Sequence, residues 1–327
     1  MTEYLAHQRD DGQTQPLLAH LQQTAKLAEQ FAAAFGAGPA GAYCGLLHDV
    51  GKYSHAAQLR LRGLGPKVDH ATAGALEAQQ AGLTLLGVCL AGHHGGLPDG
   101  GNFKIDDSSV ATLAGRLKRR VGRELPDYSS FRTELQVPGI PLPAAAHRPA
   151  FSLMFYIRML YSALVDADFL DTERFMRPDL PGRDGQASLA ELRNRLNDYC
   201  RSHFGPPQND LNRRRGDILN TCRHAAGQPP GLFSLTVPTG SGKTIASLAF
   251  ALGHGVEHGL SRVIYVIPYT SIIDQTVAVF SQMLGAENVL AHHANIIRED
   301  GEYELSAAQL ATENWDAPLI VTTAVQF

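Results

Sequence analysis

Cysteine is scarce in this chain. Cys44, Cys89, Cys200 and Cys222 stand far apart, and no two of them form a C-x-x-C pair. That spacing excludes a disulfide framework and a cysteine-based zinc knuckle, and it makes a reducing cytoplasm the expected compartment. A surplus of one charge is also missing: 28 basic residues face 32 acidic ones, for a formal net charge of −4. The chain as a whole is no polycation, so any nucleic-acid surface has to be local. The opening Met1-Thr2-Glu3-Tyr4-Leu5 lacks the basic-then-apolar form of a secretion signal. The longest apolar run, Ala150 to Val165, is interrupted by Arg158. It is too short for a bilayer span, so it reads as a buried helix and no membrane partner is expected. What remains is a 327-residue chain, 44% hydrophobic and 18% charged, with material for about two globular domains.

Strand signals are scarce before residue 232, and the first 200 residues or so read as all-α. Apolar residues recur at helical spacing from Pro16 to about Phe35 (Leu17, Leu21, Ala25, Ala28), which predicts a helix there. Further helices are expected through Ala42 to Leu47, from Ala71 to Ala81, Leu83 to His93, Ser108 to Gly122 and Pro149 to Leu170. Pro, Gly and Asp punctuate 178–185, 205–207 and 227–231 as linkers. Beyond them the pattern changes. Strands are expected at Leu232 to Val237, Val263 to Ile267 and Leu319 to Thr323, with helices at Thr244 to Gly255 and Ser271 to Met283 between them. Alternation of this kind predicts a parallel sheet. The expected division is an α-helical domain over 1–205, a junction over 206–230, and part of an α/β domain over 231–327.

Histidine is unevenly spread. Seven of the 14 fall in the first 100 residues, at His7, His20, His48, His55, His70, His93 and His94. His48-Asp49 is a bare dipeptide, but His20 precedes it, and His70 and the pair His93-His94 follow, with Gly51 and Gly95-Gly96 alongside. Imidazoles with carboxylates make a ligand set suited to Mn, Fe, Co, Ni or Zn. The two oxygens of a single Asp can bridge two metals, and a metal pair can activate water for displacement at phosphorus. His7, His55 and His147 read as ordinary. Lys52, four residues after His48, falls on the same face if the helix continues, and its ammonium could hold a phosphate oxygen.

The string Val237-Pro238-Thr239-Gly240-Ser241-Gly242-Lys243-Thr244 stands between an expected strand and an expected helix, the context of a Walker A loop. Gly240, Ser241 and Gly242 would turn backbone N–H groups toward phosphates, Lys243 would reach the β- and γ-phosphates, and Thr244 would bind Mg²⁺. Val237 stands where the strict pattern has Gly, but the string is similar to superfamily 2 helicase motif I. Ile267 to Gln275 resembles the next helicase motif, and Val321 to Gln326 one that touches the nucleic-acid backbone. No Walker B Asp-Glu pair and no second lobe appear, so ATP turnover is not expected from these 327 residues. His292-His293 is read as an ordinary loop pair.

Four segments carry a family resemblance. Leu46 to Lys52 (LLHDVGK), Asp69 to Ala75 (DHATAGA), Gly92 to Gly95 (GHHG) and Asp166 to Glu173 (DADFLDTE) run in the order of the HD nuclease domain of the CRISPR-associated helicase-nucleases of type I interference. The match extends over about 170 residues. The resemblance implies an all-α HD domain followed by the beginning of a RecA-like helicase lobe. It implies one metal on His20, His48, Asp49 and a late Asp, and another on Asp49, His70, His93 and His94, with Lys52 as auxiliary catalytic residue. The late Asp is taken as Asp168, from its Ala-Asp-x-Leu context, with Asp166 as the alternative. It also implies cleavage of single-stranded DNA, an RNA-guided surveillance complex as partner, and ATP with Mg²⁺ at the loop of the full-length protein.

Two basic groups could track a phosphate backbone or simply be solvated helix faces: Arg116, Lys118, Arg119, Arg120 and Arg123, and then Arg201, Arg213, Arg214, Arg215 and Arg223. Few aromatics interleave them, so base stacking is not indicated. Two alternative readings stay open: another HD phosphohydrolase acting on nucleotides, and a non-catalytic DNA- or partner-binding adaptor.

Overall fold

The computed structural model describes residues 4–144, 149–178, 186–292, 315 and 317–325. His147, His293 and Gln326 lie outside these described residues. The chain divides into two compact units, Met1–Leu180 and Pro181–Phe327.

The first unit is helical. A short antiparallel ribbon, β1 (Leu5–Gln8) and β2 (Thr14–Pro16), leads into α1 (Leu17–Ala33), α2 (Gly38–Leu47) and a 3-10 turn at Val50–Tyr53. Then follow α3 (His55–Leu61), α4 (Ala71–Gln80), α5 (Thr84–Gly92), the single-turn α6 (Leu113–Arg116) and the long α7 (Ala150–Met176). Leu17, Leu21, Tyr43, Leu47, Val50, Tyr53, Leu86, Leu90, Leu160 and Leu164 belong to its core. The ribbon departs from the all-α expectation; strands of four and three residues are too short for alternation to reveal. The helix expected at Ser108 to Gly122 shrinks to α6. Asp106 accepts the Asn102 N–H and Asp107 accepts the Ser109 N–H, so side chains that hold turns compete with the helix before it begins.

α7 also departs from expectation. It buries Leu160, Ala163, Leu164 and Ala167, but Phe151, Met154, Phe155 and Met159 on its first turns are exposed. By length and composition alone it could cross a membrane. Its polar residues Asp168 and Asp171, however, reach a buried histidine of α1.

The second unit begins earlier than the sequence predicted. α8 (Leu189–His203), expected in the first domain, packs Leu189, Leu192 and Leu196 into the same core as Leu248 and Leu252 of α10 (Lys243–Glu257) and Phe280 of α11 (Thr270–Leu284). α9 (Asp210–Ala225) also lies in this unit. Strands β3 (Val263–Ile267), β4 (Val289–His292) and β5 (Leu319–Thr323) form a parallel sheet in the order β3-β5-β4. β5 is buried along its whole length. The strand expected at Leu232 to Val237 does not form: the segment is irregular and mostly exposed. A strand exists only through its ladder, and no described strand lies alongside this segment.

Glycines set how closely the backbones approach around His48-Asp49, Gly45 and Gly51 among them. A Cβ on Gly45 would fall 2.4 Å from the Cα of Ala25, so α2 crosses α1 at near-contact distance there. A Cβ on Gly51 would fall 2.2 Å from the carbonyl oxygen of His70. Gly51→Ala is therefore expected to cost about 1–3 kcal/mol through overpacking, or about 2–4 °C of unfolding midpoint per kcal/mol. Thermal denaturation measures this directly; an unchanged midpoint would show that the contact yields freely.

Candidate functional site

The cluster assembles from the ends of elements. His20 lies on the first turn of α1, His48 caps the C-terminus of α2, and Asp49 and Lys52 belong to the turn that follows. His70 precedes α4, His93 caps α5, His94 follows it, and Asp168 lies on α7. The sequence expected Lys52 to share a helix face with His48. Instead the helix ends at Leu47, and Asp49 at φ −115° turns the chain into the 3-10 segment. Lys52 then reaches Asp49 rather than His48.

The two oxygens of Asp49 face different groups. Oδ1 lies 3.3 Å from His70 Nε2, 3.4 Å from His93 Nε2 and 3.8 Å from His94 Nε2. Oδ2 lies 2.6 Å from Lys52 Nζ, 3.6 Å from His48 Nε2 and 3.8 Å from His20 Nε2. The carboxylate of Asp168 closes the second group, with Oδ1 3.2 Å from His20 Nε2 and 3.5 Å from His48 Nε2. Asp166 lies two residues back, about 200° around the helix from Asp168.

Each inner imidazole is fixed from behind. Nδ1 of His48 donates to Gly45 O at 2.8 Å, Nδ1 of His93 to Leu90 O at 2.8 Å, and Nδ1 of His70 to Val68 O at 3.3 Å. A carbonyl only accepts, so in the neutral rings Nε2 carries the lone pair, and it faces the cluster. Asp49 Oδ1, His70 Nε2 and His93 Nε2 are buried and make no hydrogen bond among the described residues. Four ligand-capable atoms on Asp49, His70, His93 and His94, and three on His20, His48 and Asp49, form two groups, each within 4.8 Å internally. Orphaned acceptors converging in this way fit divalent metal ions of the imidazole-and-carboxylate class.

Sequence reasoning missed three residues. Asp171 Oδ2 accepts from His20 Nδ1 at 2.7 Å and from the Gln15 amide at 2.7 Å, while Gln15 Oε1 accepts from His7 Nδ1 at 2.9 Å. His7, read as ordinary, thus stands opposite Gln15 on the ribbon, its ring centroid 5.0 Å from that of His20. Asp171 follows Asp168 at i,i+3, the one available signal.

Charges follow from burial and neighbours. For Asp49, burial alone would raise the carboxyl, but the Lys52 ammonium and the His48 ring outweigh it and hold it well below the usual carboxylate range. Burial lowers His93 and His70, favouring their neutral rings. Burial also opposes charge on His20, but Asp168 and Asp171 overcome it and push the ring up to about 9. His7 falls to about 4 through burial and the nearby Lys52.

The phosphate-loop residues occupy the bend into α10. Gly240 and Gly242 hold φ of 80° and 86°, Ser241 is buried with its hydroxyl donating to Pro238 O at 2.6 Å, and Lys243 and Thr244 open the helix exposed. Arg215 of α9 clamps Gly240 O with Nε at 2.9 Å and Nη2 at 2.7 Å. The rest of the second basic group is held locally, Arg213 and Arg214 by Asp210, Arg201 by Asp198 and Arg223 by Asn197. In the first group, Arg119 pairs with Asp69 beside His70, and Arg116 donates to Ala91 O near His93. His292 ends β4, and its ring accepts from the Trp315 indole at 2.9 Å.

Comparison with known proteins defines first a class. Residues 223–327 match the DEAD/DEAH box helicase family, so the phosphate loop belongs to a helicase-type segment. The relatives narrow the likeness further. The chain is 30% identical over 154 residues to the CRISPR-associated nuclease/helicase Cas3 of Haloferax volcanii, covering 37% of this chain and 16% of that protein. Crystal structures of T. fusca Cas3 with ATP and with ADP share its fold at TM-scores of 0.56 and 0.55, each at 18% identity, over 98% and 99% of this chain and 43% and 44% of theirs. The chain therefore spans less than half the length of these proteins. Together the matches make the chain similar to Cas3 proteins in sequence over 154 residues and in fold over nearly its whole length.

The charges predict a pH optimum for stability in the chelator-treated protein. Below about 6.5 the unfolded chain binds protons that half-buried His7 refuses, so stability falls as pH drops toward 4. His20 has the opposite sign: its charged form stabilises fully below 6.5, and that contribution is lost as pH rises through 9. The unfolding midpoint should peak near pH 6.5 and decline on both sides. A midpoint still rising from pH 7 to 9 would contradict the assignment for His20.

Proposed function

We propose that the helical unit is a metal-dependent HD phosphodiesterase that cleaves single-stranded DNA, joined in one chain to a nucleotide-binding helicase segment. An RNA-guided type I surveillance complex is its proposed partner. The carrying observation is the divided carboxylate of Asp49, whose two buried oxygens face two separate sets of imidazole Nε2 atoms. In this reading His20, His48, Asp49 and Asp168 hold one divalent ion, and Asp49, His70, His93 and His94 hold the other. Mn, Fe, Co, Ni and Zn all suit the donors. When bound, such a pair supplies an acidified water and positive charge at both the attacking and leaving oxygens of a phosphodiester.

The chain's own residues do the rest. Asp49 fixes the spacing of the two halves, and the backbone-anchored imidazoles keep their lone pairs aimed inward. His94 is 48% exposed and His70 22%, whereas His20 and His48 are fully buried, so substrate approaches on the His94 side. Arg116 and Arg119 border that side. Lys52 keeps a cation against Asp49, suited to negative charge developing on a phosphate held nearby. In the second unit Gly240, Ser241, Gly242, Lys243 and Thr244 are the proposed seat of ATP and Mg²⁺. The helicase-family match and the fold shared with an ATP-bound Cas3 support that reading.

Elemental analysis combined with single-strand cleavage tests the reading. Asp49→Ala should lose both metals and all cleavage, whereas His94→Ala should lose about one metal per chain and reduce cleavage by orders of magnitude. Lys243→Ala should leave metal-dependent cleavage of naked single strands intact, because the loop lies in the other unit. Two metals and full activity in a folded Asp49→Ala protein would defeat the two-metal assignment.

A further inference from the structure

The four anchored imidazoles are not held alike. His48, His93 and His70 each give Nδ1–H to a neutral backbone carbonyl, whereas His20 gives its own to a carboxylate, Asp171 Oδ2, at 2.7 Å. Asp171 is itself buried, 6% exposed, and steadied by the Gln15 amide at 2.7 Å. Gln15 has only one orientation available. Its Nε2 faces an acceptor-only carboxylate, and its Oε1 receives the His7 Nδ1–H. The chain His7–Gln15–Asp171–His20 therefore converges on Asp171, which accepts from Gln15 on the ribbon side and from His20 on the cluster side.

An anion behind an imidazole orients the ring and raises the basicity of its far nitrogen, which strengthens that nitrogen as a metal ligand. The group that includes His20 is also the drier one. His20 and His48 are 0% exposed, Asp49 1% and Asp168 15%, against 48% for His94 in the other group. Both features favour the same side.

Resting on the two-metal reading above, we infer that Asp171 is a positioning residue that makes the two sites unequal. The site of His20, His48, Asp49 and Asp168 fills first and tightly, and the site completed by His70, His93 and His94 fills second and exchanges. Gln15 and His7 act through Asp171 and touch no metal.

The test is a titration of the chelator-treated 327-residue chain with Co²⁺ alone, followed by calorimetry and by the visible absorption of bound cobalt. The wild-type chain should take up two ions in separate steps, and His94→Ala should abolish only the weaker step. Asp171→Asn keeps the shape but removes the anion, and it should weaken the tighter step by about 10–100-fold while leaving the weaker one unchanged. Gln15→Leu should weaken the same step by less. Circular dichroism checks folding, and should Asp171→Asn not fold, Gln15→Leu decides. Two equal steps in the wild type, or variants that move both steps equally or neither, would overturn the inference and leave the two-metal reading standing. A wild-type chain that binds no Co²⁺ would overturn the two-metal reading itself.

Discussion

A carboxylate with almost no access to water is the constraint around which the first unit is built. Asp49 is 1% exposed and remains ionised. Moving such a charge out of water costs several kcal/mol even after relaxation, and removing one partner of a buried pair costs about 3–5 kcal/mol. Its burial is tolerable only where cations and polar nitrogens converge. Lys52 supplies the formal charge at 2.6 Å, and five imidazoles come within 4 Å of the two oxygens. They arrive from four helices and the segments between them, so the apolar core serves chiefly to hold helix ends at fixed separations. The close approach at Gly51 belongs to the same requirement, since a methyl group there would clash with the backbone of His70 beside Asp49.

In the second unit the proposed seat of nucleotide rests on backbone rather than side chains. A phosphate-binding loop needs its N–H groups turned to one side and its carbonyls to the other. The left-handed φ values at Gly240 and Gly242 permit this, and two hydrogen bonds from Arg215 engage the Gly240 carbonyl. Behind the loop, α10 buries Ala246, Leu248, Ala249 and Leu252, and β5 supplies a fully buried central strand.

Much of this was legible in the sequence because it is local. The helices over Leu17–Ala33, Ala71–Gln80 and Thr84–Gly92, and the strands at Val263–Ile267 and Leu319–Thr323, follow directly from apolar periodicity. The histidine–aspartate set was legible from composition and order, and the structure brings all of its members together. Three things were not legible. The ribbon carrying His7 and Gln15 is too short to carry a pattern. Asp171 acts across 151 residues of sequence, and nothing in its neighbourhood marks the histidine it serves. The segment Leu232 to Val237 has every local mark of a strand, but strand formation is decided by a neighbour that local sequence does not contain.

Location on the helices accounts for the one histidine treated differently. A helix leaves its last carbonyls without N–H partners. His48 and His93 sit at helix C-termini and donate Nδ1–H to the carbonyl three residues back, Gly45 O and Leu90 O. Each bond therefore satisfies an orphan acceptor and fixes an imidazole at once, with no further side chain required. His20 lies inside α1, where the nearby carbonyls are engaged by the helix itself. Its Nδ1–H has to find an acceptor elsewhere, and α7 provides one. Asp168 and Asp171, three residues apart, share a helix face, so one carboxylate lies in front of the ring and the other behind it. A single helical spacing thus supplies both the inward-facing carboxylate and the support that a histidine in a helix's first turn lacks.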